Sequence, residues 1–479
     1  MNAGIRKGNE GRSSIVATHV GFARLRCAAI CLLASLSGCA HYRASPIDLR
    51  TAAASFSARR LTEEGLRDQA AHVLPQVPTE WPPQEWDRAT LLAVALTQNL
   101  PLAVARAEVG ASSSREITVA ALPNPDLTLQ SEYARHDSHP WLYGLSMKWL
   151  LRSGTQRRLE IQGARLDTVN ALWRLMDQAW AVRRELAASL SDWEGARRRL
   201  RLLERLAVSE DKLLRMEQQR VELGEDAPVE LINAQQARIL IDQQRVELRQ
   251  MADAAQAAVA RALGMPQQAL DEVPISWPDW GSPAPIDAQM ERRMRERALL
   301  SRADLSQAIG TYAQAETKLQ LSVARQFPEV VLGPGYYWDH GIARFPFDVG
   351  FAVPLNRNRG EIAEAGQGRE LAAQRMLALQ AEIYGEIAAA ERAELAARSG
   401  TEAAERQLAW ASLQKQHADL RFRVGASDSQ EPIISDILLA RAELEVLQTR
   451  TALQTSRNNL EDALHAPLSG PELALAESP

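Results

Sequence analysis

The sequence predicts a mainly α-helical chain with a membrane β-sheet part, in which one unit of helix, β-hairpin and long helical hairpin occurs twice. Three observations predict this fold class. Landmarks of the first half recur in the same order about 200 residues later, as expected for an internal duplication. Long stretches lack proline, which costs about 3 kcal/mol inside a helix, and are rich in good helix formers. Two short segments alternate large apolar residues with small or polar ones, which is the period of a strand.

The N-terminal region predicts a lipoprotein signal peptide over residues 1–38. Its apolar run follows Arg24 and Arg26 and is too short to span a hydrocarbon core of about 30 Å. The residues Leu36–Cys39 resemble a bacterial lipobox, in which a large apolar residue and two small ones precede the cysteine that receives lipid. We therefore expect a covalent lipid on Cys39, no other cofactor, and delivery to the outer membrane. An ordinary secretory signal with a chance cysteine is the alternative.

Composition excludes several classes of protein. The net charge is −5, which makes nucleic acid an unsuitable partner. All three cysteines precede residue 40, so the predicted mature chain has no disulfide. No apolar run after Cys39 approaches 18 residues, and any membrane crossing is therefore expected to be β-structure. The sequence also lacks the common nucleophile, zinc-protease and phosphate-loop motifs, so we expect no enzyme.

The duplication sets the predicted boundaries. Residues 39–85 form an N-terminal anchor and extended segment, residues 86–268 the first repeat and residues 291–467 the second, with a linker at 269–290 and a tail at 468–479. In each repeat two helices meet at a glycine, Gly224 or Gly425, four residues after an arginine, Arg220 or Arg421. The first long helix, residues 154–223, measures roughly 105 Å at 1.5 Å per residue. A helix of that length needs other long helices beside it.

The predicted hairpins cover about residues 126–150 and 329–354. One strand face is apolar and aromatic, which resembles the aromatic girdle of a membrane sheet, although a soluble sheet packed on helices is the alternative. Four strands cannot close in a membrane, so several copies have to assemble, and a dimer with eight strands or a trimer with twelve both satisfy this requirement. The residues predicted to face lipid are Trp141, Tyr143, Leu145, Met147, Trp149, Phe345, Phe347 and Phe351.

Several segments in this order resemble the TolC family of outer-membrane efflux channels: ALTQNLPLAVARAEV, LPNPDL, GPGYYWDHG, PLNRNRGEIAEA and the paired R-x-x-x-G tips. The resemblance covers about residues 86–467, and NRNRGEIAEA is closest to the heavy-metal branch. It implies a homotrimer with a 12-stranded barrel and a 12-helix periplasmic tunnel. It also implies a periplasmic adaptor protein that docks on the tips at Arg220, Gly224, Arg421 and Gly425, and an inner-membrane pump of the RND type.

The resemblance implies a passive exit channel, with heavy-metal cations as the expected cargo. Export of drugs, or of proteins in type I secretion, is the alternative within this class. A lipid-anchored periplasmic coiled-coil scaffold is the alternative from another class. Acidic residues at the tips are candidate gate residues, because a trimer repeats each of them three times around one axis: Glu225, Asp226, Asp428 and Asp436. His136 and His139 with Asp137 are metal-ligand types, but a polar turn is the preferred interpretation.

Overall fold

The computed structural model describes residues 41–76, 78, 80–271, 273–353 and 355–473. The chain divides after Phe56 into two units, and the fold described below is that of the longer one. Helix α1 (Leu49–Ala58), which has no buried residue, crosses this boundary. The signal peptide and Cys39 lie outside the described residues.

The first repeat starts its helices at capping side chains. Asp87 accepts a hydrogen bond of 2.8 Å from the Thr90 amide, and Asn99 accepts one of 3.1 Å from the Leu102 amide. Ser153 caps the long helix by accepting from the Gln156 amide at 3.1 Å. Helix α2 (Glu64–Ala71) precedes this repeat. The elements of the repeat are α3 (Arg88–Gln98), α4 (Leu100–Ala120), β1 (Asp126–Tyr133), β2 (Trp141–Leu151), α5 (Gly154–Glu222) and α6 (Pro228–Leu263).

The second repeat has the same order of elements. Its strands lie between two helix pairs, as in the first repeat, and its long helix again leads into a glycine tip. The elements are α7 (Ala288–Ser301), α8 (Ala303–Ala324), β3 (Val330–Asp339), β4 (Ile342–Arg344), β5 (Phe347–Phe351), α9 (Arg359–Arg423) and α10 (Gln430–Leu464). The predicted mainly helical fold with two strand pairs is confirmed.

Within the described ranges, no single helix combines the length and the apolar composition of a membrane span. Helices α3 and α4 reach that length and composition only together, with a bend of 50° between them.

The two hairpins join into one antiparallel sheet. β1 pairs with β2, β2 pairs with β3, and β3 pairs with both β4 and β5. The β2–β3 register places Leu145 opposite Tyr336 and Leu151 opposite Val330. This junction between the hairpins is a contact between residues nearly 200 positions apart, and the sequence pattern did not specify it.

The last strand is interrupted, which corrects the prediction of one continuous alternating strand. β4 ends at Arg344 and β5 begins at Phe347, so Phe345 and Pro346 lie between them. Proline has no amide hydrogen to donate to a ladder, which is why it occurs at bulges and edges. The Pro346 carbonyl still accepts from the Gly335 amide at 2.9 Å, and the sheet therefore continues past the break.

Among the described residues the helices pack through several apolar cores, and the two largest belong mainly to different repeats. One core joins α3, α5 and α6, and the linker contributes Trp277 and Trp280 to it. The other joins α7, α8, α9 and α10 around Ile383 and Ile387. Both linker tryptophans are buried, so this segment packs against the helices as part of the first core.

A buried charged cluster fixes the C-terminal segment to the helices. The Arg183 guanidinium on α5 lies 2.5 Å from Glu461 of α10 and 2.6 Å from Glu472 beyond it. Arg88 lies 3.8 Å from Glu472 and donates to the Ser469 carbonyl at 3.0 Å. The side chains of Arg183, Glu461 and Glu472 are each no more than 6% exposed. Such a cluster makes folding depend on every member being present.

Helices α6 and α10 end alike but with different residues. Gly264 and His465 both adopt the left-handed conformation, with φ of 69° and 48°. A Cβ atom on Gly264 would overlap the Gln98 carbonyl, so this position requires glycine. His465 instead stacks its ring on Trp180 at 5.0 Å, and burial lowers its pKa to about 4.

We expect the His465→Gly variant to lose less stability in acid than the original protein. A folded-state pKa of about 4, below the ordinary 6.5, means that the unfolded chain binds this proton more tightly. The stability that the neutral His465 contributes is fully present above pH 6.5. It falls as the pH drops toward 4, and the loss is about 2 kcal/mol at pH 5. Thermal unfolding of both proteins between pH 7 and pH 5 measures the difference. Equal losses in both would contradict the role assigned to His465.

Candidate functional site

The two helical tips share one backbone geometry, which explains the R-x-x-x-G spacing. Gly224 and Gly425 have φ of 76° and 72°. The Arg220 carbonyl accepts from the Glu225 amide at 2.8 Å, and the Arg421 carbonyl accepts from Ala426 at 2.8 Å. This is the Schellman arrangement, in which the residue four positions before the glycine accepts from the residue after it. The tight helix end therefore favours the glycine, whereas the backbone carbonyl four residues earlier does not depend on the arginine side chain.

The Arg220 side chain joins one tip to the other. It forms a hydrogen-bonded ion pair with Asp226, and its guanidinium lies 3.7 Å from Glu225 and 3.8 Å from Asp428 of the second tip. Arg421 does not mirror this arrangement, because it pairs with Glu431 of its own hairpin at 3.0 Å. The two arginines therefore have equal backbone positions and different side-chain partners.

The four candidate gate acids all lie within reach of a cation. The Arg220 hydrogen bond lowers the pKa of Asp226, which keeps this carboxylate ionised. Asp436 lies 3.1 Å from Lys415. Burial works against the charge of Lys415, but hydrogen bonds to Asp419 and Asp436 raise its pKa. Arg220 alone thus faces three of these carboxylates, and Lys415 is shared by Asp436 and Asp419. The role of the four acids as a gate stays a prediction.

Sequence reasoning missed a fifth acid at the tips. Glu217 is buried one turn before Arg220, and its Oε1 accepts from Gln430 at 2.8 Å. Burial raises the pKa of Glu217, and the neighbouring charge of Asp226 raises it further. The Gln430 contact is a second link between the tips. Its signal in the sequence was weak, because many acids occupy the long helices.

The Gly224→Ala variant tests the tip geometry. An alanine at this left-handed position is expected to cost about 1 kcal/mol, although no atom crowds the site. Gly385, inside α9 and equally uncrowded, is the matched control, since alanine there should stabilise the helix by up to about 1 kcal/mol. Hydrogen exchange of the amides at residues 221–227 reports the local effect. Unchanged exchange in the Gly224 variant would contradict the assigned cap.

The apolar strand face is continuous across the whole sheet and exposed in the single chain. The registers align Leu129, Leu145 and Tyr336 in one row and Trp149 with Leu332 in another. On the opposite face Gly144 lies beneath the Tyr337 ring. Of the predicted residues of β2 and β5, all are exposed except Met147, which is half-buried. Phe345 lies between the strands and is also exposed, with its ring centroid 5.2 Å from that of Tyr336. Their contact with lipid stays a prediction.

The polar turns at the far end of the sheet lie side by side. His340 Nδ1 lies 2.7 Å from Asp339, and its Nε2 lies 3.9 Å from Asp137 of the other turn. The Asp339 hydrogen bond raises the pKa of His340. In the described part of the chain, no three His, Cys, Asp or Glu side chains have an arrangement that could hold a metal ion.

Comparisons with known proteins identify the fold. Residues 91–265 match the family model "Outer membrane efflux protein", and no curated protein matches the chain. CusC, described as forming a transmembrane channel, is similar over 79% of this chain and 91% of its own, with 16% identity and a TM-score of 0.64. The CmeC outer membrane channel of Campylobacter jejuni is similar over 80% and 87%, with 13% identity and a TM-score of 0.66. The outer-membrane channel OprN is similar over 89% and 98%, with 18% identity and a TM-score of 0.64.

Proposed function

We propose that this chain, an outer-membrane efflux protein of the TolC type, forms as a homotrimer the exit channel of a tripartite efflux system. The protein is not an enzyme, and it belongs to the outer membrane, with long periplasmic helices. Three sheets would close into a 12-stranded barrel, and the helices would continue it as a 12-helix tunnel. The channel would conduct passively from the periplasm to the outside.

One observation carries this proposal. The sheet exposes a continuous apolar face, and its edge strands β1 and β4/β5 each pair on one side only within the described residues. Unpaired backbone groups in lipid cost several kcal/mol each, so such a sheet requires copies of itself to close the ladder. An anchored periplasmic scaffold would have no use for this face.

The first experiment is the mass of the detergent-solubilised protein by light scattering, corrected for bound detergent. With 52.9 kDa for the whole chain, a trimer without its leader has a mass of roughly 150 kDa. A well-folded monomer would contradict the proposal, because four strands would then be left unclosed. Single-channel conductance in a planar bilayer tests the open pore independently of the mass.

The tips are proposed as the docking surface for a periplasmic adaptor that connects the channel to an inner-membrane pump of the RND type. The similar backbone ends at Gly224 and Gly425 support this proposal, because they give both hairpins the same compact turn. Cross-linking from a cysteine placed at Glu225, with an equivalent cysteine at Glu370 on the shaft of α9 as control, distinguishes tip docking from lateral contact.

Heavy-metal cations are the proposed cargo, on the resemblance of NRNRGEIAEA to the heavy-metal branch. Growth of a deletion strain on metal salts and on drugs, with and without this gene, decides between metals and the multidrug alternative. Secretion of a type I substrate tests the third cargo class. Resistance restored only toward drugs would overturn the metal proposal and leave the channel intact.

A covalent lipid on Cys39 is proposed to supplement the sheet as an anchor. Support comes from the lipobox-like residues Leu36–Cys39. Mass spectrometry of the mature N-terminal peptide should show a diacylglyceryl group on this cysteine, and an unmodified N-terminus at another residue would contradict it.

A further inference from the structure

Three arginines lie in the junctions between the strands and the long helices, and the proposed channel does not explain why they are there. The final rows of the sheet pair Leu151 with Val330 and Val330 with Phe351. Arg158 follows Leu151 by seven residues, and Arg357 and Arg359 follow Phe351 by six and eight residues. All three therefore lie just past the end of the apolar sheet face, at the side where the periplasmic helices begin.

In the junction between β5 and α9, the backbone turn leaves Arg357 and Arg359 exposed. Asn358 donates its side-chain amide to the Ser322 carbonyl at 2.9 Å and to Glu361 at 3.0 Å, which ties the turn to α8. Arg357 and Asn358 have φ of 48° and 56°, a region that residues with a Cβ rarely adopt. The asparagines of the N-R-N-R-G motif thus build the turn, and within the described residues the side chain of the intervening Arg357 has no hydrogen bond or ion pair.

Arginines on the two faces of the junction differ in their partners. Arg152, which follows the outward-facing Leu151 and so belongs to the opposite face, pairs with Glu160 at 3.0 Å and Glu329 at 3.4 Å. Arg158, Arg357 and Arg359 are exposed, and no carboxylate in the described part of the chain pairs with them. Arg152 therefore has carboxylate partners, whereas no described carboxylate pairs with the other three arginines.

The surroundings of these arginines indicate what supplies the missing charge. Val353 and Leu355 follow β5 as exposed apolar residues, and Leu355 is 92% exposed. In a membrane, the layer directly beyond the hydrocarbon contains lipid phosphates, and arginine side chains extend toward that layer from apolar surfaces. A guanidinium binds a phosphate through two parallel hydrogen bonds.

We propose that Arg158, Arg357 and Arg359 form a phosphate-binding collar for anionic phospholipids at the periplasmic boundary of the outer membrane. The proposal rests on the membrane position of the sheet in the proposed function. It assigns to the N-R-N-R-G motif a contact with lipid in place of a contact with cargo.

Binding of dihexanoyl-phosphatidylglycerol to the detergent-solubilised full protein tests the collar by native mass spectrometry or calorimetry. The double variant Arg357→Gln, Arg359→Gln should bind this lipid at least about fivefold more weakly, because two charge-assisted phosphate contacts are lost. Arg158→Gln should weaken binding in the same direction. Arg375→Gln is the matched control, since this exposed arginine lies on the same helix about 24 Å beyond Arg359 at 1.5 Å per residue, and its variant should bind like the original protein.

Four outcomes would overturn the collar. The first is equal lipid affinity in the original protein and the double variant, and the second is an equal loss of lipid affinity in the Arg375 control. The third is equally tight binding of inorganic phosphate at the same arginines. The fourth is loss of the oligomer in the double variant. Loss of the oligomer would mean that the arginines contact another copy of this chain and not a lipid. Conductance is measured in parallel, because absent conductance with intact, arginine-dependent lipid binding would refute the channel and leave the collar.

Discussion

Replacing Arg183 with methionine is expected to destabilise the protein by roughly 3–5 kcal/mol, the cost typical of removing one partner from a buried ion pair. Glu461 and Glu472 would keep their buried carboxylates, with Arg88 at 3.8 Å from Glu472 and the charge of Arg457 near Glu461 as weaker compensation. Burial works to lower the pKa of Arg183, but the two carboxylates outweigh it and raise this pKa, so the guanidinium stays charged. Thermal or denaturant unfolding of the solubilised protein measures the loss.

Arg184→Met is the matched control for this prediction. Arg184 is the next residue, its side chain is mostly exposed, and it lies 3.3 Å from Asp462. Asp462 would still accept from the Trp180 indole at 2.9 Å. An exposed pair contributes at most about 1 kcal/mol, so the two variants should differ clearly. Similar losses in both would mean that the buried cluster does not determine stability.

Replacing Leu145 with arginine is expected to block assembly in the outer membrane. Leu145 lies in the middle of β2 on the exposed apolar face, between Leu129 and Tyr336 of the neighbouring strands. An arginine facing lipid near the membrane midplane costs about 2–4 kcal/mol, and the trimer would carry this cost three times. The amount of protein in the outer-membrane fraction and its trimeric share give the measurement.

Ser146→Arg provides the control on the other face of the same strand. Ser146 lies between Thr128 and Gly335, and a charge there would point into the interior of the proposed barrel. We expect this variant to assemble, with a change in conductance only. Should Leu145→Arg assemble as well as Ser146→Arg, the assignment of the lipid-facing side would be wrong.

Several local features of this chain could be predicted from the sequence alone. The long helices follow from composition and from the absence of proline, and the tips follow from a glycine that only a left-handed helix end requires. The apolar alternation of β2 depends on neighbours two residues apart, so the sequence alone assigns its apolar residues to one strand face. The break at Pro346 was predictable in principle, because proline cannot complete a ladder, but the strong alternation around it concealed the break.

The sequence by itself determined which segments are helices and strands, where the tips lie and which strand face is apolar, because these depend on intervals of a few residues. Only the tertiary structure decided the pairing of β2 with β3, the burial of Trp277 and Trp280, and the choice of Glu461 and Glu472 as partners of Arg183. It also decided that Arg220 reaches Asp428 while Arg421 stays on its own hairpin. In a chain with 55 basic and 60 acidic residues, composition allows many ion pairs of similar energy, and long-range packing selects among them.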